Sequence, residues 1–338
     1  MPKGSVVAIH RSTNLTTSAT STALDRSNEQ AAHSNDPLPL PPRRVSAWKR
    51  NRAYVLGLTP AAILLAVFFL APAAWALYSS LTNRALVGID AAHYRFIGLD
   101  NYRRLFADPD FFTVIKNSLI FVIGSAMIGQ FILGLAMAVL IDFSEKRGYK
   151  IALLGYAAVL LAWVNPTVIA GFQWTAMFDF YYGTLNRALN AVGLPSVNWI
   201  GQYPMLSVII VNIWRGTAFA MMIFMGALKT IPPYVYEAAR IDGASGWQAF
   251  WDHTLPNLRH IMMIVMLSLT ISTFGTFLLI QTLTNGGPGI QTEVIALFAY
   301  HTAFVGYEIG YGSAIALVML VMNLVFGIFY IRVSRPKV

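Results

Sequence analysis

Residues able to do chemistry are few and scattered in this sequence. There is no cysteine, which removes disulfides, iron–sulfur clusters and thiolate metal sites. His253, His260 and His301 fall in loops or at the ends of apolar stretches, where solvated or interfacial imidazoles are expected rather than metal ligands. Inside the apolar stretches there are no paired carboxylates and no histidine cluster, and acids such as Asp142 and Asp179 stand only near their ends. An enzyme working at membrane depth would need such groups, because ionisable side chains there are costly and usually functional. No catalytic or metal site is therefore expected. A Gly-x4-Gly-Lys-Ser/Thr phosphate loop is also missing, so energy from nucleotide has to come through a partner. Two features remain. Arg215 stands near the middle of an apolar stretch, where a guanidinium costs about 2.5 to 3.5 kcal/mol and must face water or a partner. The other is the segment from Ile231 to Pro256, polar and aromatic between two apolar stretches.

The elements that must position these residues follow from composition. The 338 residues are 56% hydrophobic and 12% charged, against about 45 to 50% and about 25% in soluble domains. An apolar helix needs about 20 residues to cross a bilayer core, and six spans are expected at 53–81, 112–141, 151–174, 204–228, 261–284 and 309–333. The fold class is an all-α integral membrane bundle. Residues 1–52 read as a cytoplasmic N-terminal tail, disordered because Ser, Thr, Asn, Ala and a proline run cannot bury enough apolar surface. No apolar core follows the first basic residues before Tyr54, so the tail does not read as a cleaved signal peptide. Residues 53–333 form the membrane domain and 334–338 a C-terminal tail.

The formal net charge is +9, but the basic residues sit at the ends of spans and do not suggest nucleic acid. Fourteen of them, including Arg43, Lys146, Lys229 and Arg332, fall on the side that holds both termini; six, including Arg84 and Arg187, fall on the other. The positive-inside rule then places both termini in the cytoplasm. Phe96 to Tyr102, with Asp108-Pro109-Asp110 beyond it, reads as an external interfacial segment with turn chemistry.

Within the Ile231–Pro256 loop, Pro233 suits the first turn of a helix and Gly243 the left-handed position just past its end. Ser245 and Gln248 form a capping-box start for a second helix, which Pro256 should stop or kink. Tyr234, Ala238 and Ile241 share one face of the first helix. A preformed apolar face invites a protein partner; an interfacial helix lying on lipid is the alternative.

Here the sequence resembles the EAA loop of binding-protein-dependent ABC permeases. Glu237-Ala238-Ala239, then Gly243, then Leu255-Pro256 stand at that family's offsets, with His253 where the family has an apolar residue. The resemblance implies the six-helix type I importer permease fold and a coupling helix that docks on an ATPase subunit, with Glu237, Ala238, Ala239, Asp242, Gly243, Leu255 and Pro256 as its coupling residues. Asn285-Gly286-Gly287-Pro288-Gly289, Thr292-Glu293, and Tyr300-His301-Thr302-Ala303-Phe304 are similar to the carbohydrate branch, the maltose and glycerol-phosphate permeases.

The expected function is thus a non-catalytic inner-membrane permease subunit for carbohydrate, an oligosaccharide or an acidic sugar, with a polyol or phosphorylated solute as the alternative. Its implied partners are a second permease, two ATP-binding subunits that hold ATP and Mg, an extracytoplasmic solute-binding protein and membrane lipid. A secondary transporter is the rival; repeat symmetry, broken helices and intramembrane carboxylates, its usual signs, are not legible.

On the fourth span Asn212, Gly216 and Phe219 follow one helical face together with Arg215, and Ser272, Thr273 and Thr276 make a polar cluster on the fifth. Maltose-type permeases are similar in having an Asn, a Gly and an aromatic at this spacing, which there meet the sugar. Helix packing through small and hydroxylated residues is the competing reading.

Overall fold

The structure, a computed structural model, describes residues 47–149 and 151–334; the predicted tail up to residue 46 and the residues beyond 334 lie outside the described residues. Two units are distinguished, one up to Val67 and one from Phe68. The first contains a helix from Ala47 to Leu65, so helix begins at Ala47 rather than at residue 53. The second unit carries everything that follows.

Among the described residues the secondary structure is helical, apart from one isolated bridge between Thr82 and Phe96. Five helices are long and apolar enough to cross a membrane: Leu56–Ser80, Pro109–Lys146, Pro204–Leu228, Gly246–Phe274 and Ile309–Val333. The sixth expected span, 151–174, is a broken pair, Ala152–Val164 and Thr167–Met177, bent by 107°. Its cause is local. Pro166 lacks an N–H and disfavours the helical conformation at Asn165, and the Asn165 Nδ2 donates to Gln173 Oε1 across the bend at 2.6 Å. The expectation that no broken helix exists is therefore corrected.

The fifth span departs from its expected limits. Pro256 does not stop the helix begun at Gly246, because a π turn at Phe250–Thr254 absorbs the register change next to the missing N–H. That helix ends at Phe274 rather than 284, and a short helix Leu278–Leu283 follows. At the break, the Thr276 N–H donates to the Thr273 carbonyl and the Thr276 hydroxyl to that of Ser272.

The fourth span is the hub. It packs on the second, third and fifth spans, and Leu206 and Gly226 are its only exposed residues. Contact with the second span runs through glycines: a Cβ at Gly129 would overlap Ile213, and one at Gly134 would overlap Ala220. Gly124 faces Ile209. A π segment, Val122–Gln130, precedes the α-helix Phe131–Lys146, and its i→i+5 bonding makes five residues about one turn. That places Gly124 and Gly129 on one face, so the backbones approach closely.

The 96–110 segment is ordered as the turn chemistry suggested. Asp108 caps the second span by accepting from the Asp110 N–H at 2.9 Å, with Pro109 in the first turn. Arg104 pairs with Glu308 and lies over the Tyr311 ring, its carbon 4.1 Å from the centroid. This ion pair holds the Arg104 guanidinium above its usual value, against some desolvation.

Candidate functional site

The Ile231–Pro256 loop folds from its own short-range signals. Pro233 opens a helix that ends at Ile241. Gly243 follows at φ +79°, and its N–H donates to the Arg240 carbonyl while that of Ala244 donates to Ala239. This pair of bonds is a Schellman turn. The Ser245–Gln248 capping box forms in both directions, and Gly246 begins the next helix.

This corner is braced from inside. The Tyr236 hydroxyl lies 3.2 Å from that of Thr254, and the Lys146 ammonium sits 5.0 Å above the Tyr236 ring. Lys146 also pairs with Asp142 at 2.6 Å, and Lys229 with Glu145 at 3.3 Å. Between the corner and the end of the second span lies a groove of about 860 Å³, with Glu237 and Arg240 among its charged lining residues.

Of the predicted coupling residues, Glu237, Ala238, Asp242, Gly243 and Pro256 are exposed. Glu237 has no ion-pair partner among the described residues. Ala239 is 2% exposed, so its small size serves packing within the chain. Leu255 is half-buried. Tyr234 and Ile241, on the predicted apolar face, are 68% and 86% exposed. Sequence reading missed the aromatic neighbour to that face: Trp247, 70% exposed, meets Trp251 at 5.6 Å, and Phe250 meets Trp251 at 5.5 Å. Three aromatics within five residues of an amphipathic loop were the available signal. His253 is half-buried, and its carbonyl accepts from Asn257.

The fourth-span constellation divides. Asn212, 4% exposed, donates to Ser125 Oγ at 2.8 Å, and its carbonyl accepts from Gln130 Nε2. Gly216 is covered by Gln130, whose side chain a Cβ would overlap. Both are thus engaged in packing on the π segment. Phe219 is half-buried against the core. On the fifth span Thr273 is buried, Ser272 exposed and Thr276 half-buried. Arg215 is half-buried, with its Nε out of reach of solvent and of any hydrogen-bond acceptor.

The Asn285–Phe304 motif makes a knot. Thr292 bonds to the Thr284 hydroxyl at 2.7 Å and to the Gly287 carbonyl. His301 Nδ1 lies 2.9 Å from the buried Glu293 carboxylate, so this half-buried imidazole is anchored to the chain on one side.

The family described as binding-protein-dependent transport system inner membrane component matches residues 130–336, a stretch that holds the Schellman corner, the capping box and the knot. The chain belongs to this family. It is therefore a permease, a membrane transport subunit without catalysis of its own. A sulfoquinovosyl glycerol transport system permease protein of Agrobacterium fabrum is 32% identical over 84% of this chain and 90% of its own length. A trehalose/maltose transport system permease protein of Thermococcus litoralis is 35% identical over 71% of this chain and 80% of its own. In fold, the permease is similar to a chain of a bacterial ABC transporter involved in import of the acidic polysaccharide alginate, with TM-score 0.69, 23% identity, and coverage of 85% of this chain and 96% of that one.

Proposed function

We propose that this permease forms half of a carbohydrate translocation pathway and is driven through the Ile231–Pro256 loop. The observation that carries the coupling role is the braced corner, whose exposed Tyr234, Ile241 and Trp247 leave an apolar surface next to the uncommitted carboxylate of Glu237. A lipid-lying helix needs no such bracing, whereas a lever that transmits motion does. The occupant is an ATP-binding subunit, present twice and holding ATP and Mg. A second permease completes the pathway, and an extracytoplasmic solute-binding protein delivers the ligand. Carbohydrate as cargo is supported by the two relatives above, which are named for a sulfoquinovosyl glycerol and for trehalose and maltose. An oligosaccharide or an acidic sugar is the finer form of this reading, and a polyol or phosphorylated solute the alternative.

The test is purification of the tagged permease from its native membrane, followed by ATPase assay. Recovery of an ATPase subunit, with hydrolysis stimulated by the loaded binding protein, is the expected result. Solute uptake by the permease alone, driven by an ion gradient and with no ATPase recovered, would overturn the coupling role.

A further inference from the structure

Resting on the carbohydrate reading, we propose that Arg215 is the residue that reads an acidic group, carboxylate or sulfonate, on the transported sugar. Arg215 is placed about 17 Å from one end of the Pro204–Leu228 helix and about 20 Å from the other. Its direction is set by its neighbours on the same face. Val208, Val211, Asn212 and Ala218 are buried and Phe219 and Met222 half-buried, so the side chain lies along the packed side of the helix rather than on its exposed one.

Its surroundings set it apart from every other polar side chain of this span. Ser207 donates to the Trp199 and Tyr203 carbonyls, Asn212 to Ser125, and Thr217 to the Ile213 carbonyl. Arg215 makes no hydrogen bond or ion pair with any described residue. No acid stands near the middle of any span, and several at the span ends are already engaged: Asp142 by Lys146, Glu145 by Lys229, Glu308 by Arg104, and Asp179 by the Tyr181 and Tyr182 N–H groups. A guanidinium carries five donors in a planar fork matched to a two-oxygen anion. Left unpaired at this depth it is costly, and an arriving acid that accepts two of its N–H groups removes that cost while fixing the ligand's orientation.

The experiment uses the complete complex with its binding protein in proteoliposomes. Uptake is measured for radiolabelled carboxylated, sulfonated and neutral disaccharides of one ring size, in the native protein and in Arg215→Gln and Arg215→Lys. The expected result is transport of an acidic disaccharide that falls about tenfold or more in Arg215→Gln and is partly retained in Arg215→Lys, with assembly intact by co-purification. Transport of the neutral sugar, or an equal effect of Arg215→Gln on neutral and acidic sugars, overturns this assignment and leaves the carbohydrate reading standing. Failure of Arg215→Gln to assemble while Arg215→Lys assembles also overturns it, assigning the guanidinium to the second permease. Uptake of none of the sugars by the native complex overturns the carbohydrate reading and this assignment together.

Discussion

Gly216 is where a single methyl group decides between packing and pathway. Because a Cβ there would overlap the end of the Gln130 side chain, Gly216→Ala makes that side chain swing away and give up its hydrogen bond to the Asn212 carbonyl, and is expected to destabilise the permease by about 0.5 to 1.5 kcal/mol. Thermal melting of the purified protein checks this, and an unchanged melting temperature would mean that Gln130 yields freely. Glu293 is the second residue with a measurable signature. Burial pushes its carboxyl up, against the opposing pull of His301. A carboxyl raised by folding favours the folded state while protonated, so that contribution is present in acid and is lost as pH rises through the raised value. Glu293→Gln stays uncharged throughout. Its melting temperature is therefore expected to fall less than that of the native protein between about pH 4 and 7; parallel curves would exclude the carboxyl as the cause. The type and spacing of Asn212, Gly216 and Phe219 were legible in the sequence. Their partners were not, since Ser125 and Gln130 lie more than eighty positions away and nothing in a local pattern chooses them.

At the level of elements, the Ile231–Pro256 corner is the part most completely written in short-range chemistry. Pro233, Gly243 and the Ser245–Gln248 box each act within four residues, and each formed as expected. Ser245→Ala is expected to cost the corner about 1 kcal/mol, and Gly243→Pro to break the Schellman turn outright, since φ +79° is closed to proline. Both variants, and Glu237→Ala, are expected to lower uptake more than they lower insertion, with Gly243→Pro the most severe. Comparing uptake with binding-protein-stimulated ATPase activity decides it: normal values for both in Gly243→Pro and Glu237→Ala would remove this loop from the coupling path. The π segments were not legible. No residue type in Val122–Gln130 or Phe250–Thr254 marks a π turn; the first accommodates Gly124 and Gly129 against the fourth span, and the second lies just before Pro256. The bend at Asn165–Pro166 was written in the sequence, but an apolar run on both sides of it masked the proline's meaning.

For the whole molecule, the five spanning helices and the apolar character of the bent 151–174 stretch were readable from hydropathy, because the bilayer thickness imposes a length that any spanning helix must meet. Their orientation rests on the fourteen-to-six distribution of basic residues. A reporter fused at either terminus is expected to be active only in the cytoplasm. Activity outside would invert the chain and place the Ile231–Pro256 corner on the wrong side for an ATPase.

The sequence by itself determined the membrane class, the approximate spans and the local shape of the Ile231–Pro256 corner, because each depends on hydropathy or on hydrogen bonds between residues a few positions apart. Only the tertiary structure decided that the fourth span is the hub, that Asn212 and Gly216 serve its packing on the π segment, that the Glu293 carboxyl is buried beside His301, and that Arg215 alone among that span's polar residues is left unpaired by the described residues. These outcomes depend on which helices approach closely enough to share an interface, and that is set by the fit of small residues across long sequence separations rather than by any local pattern.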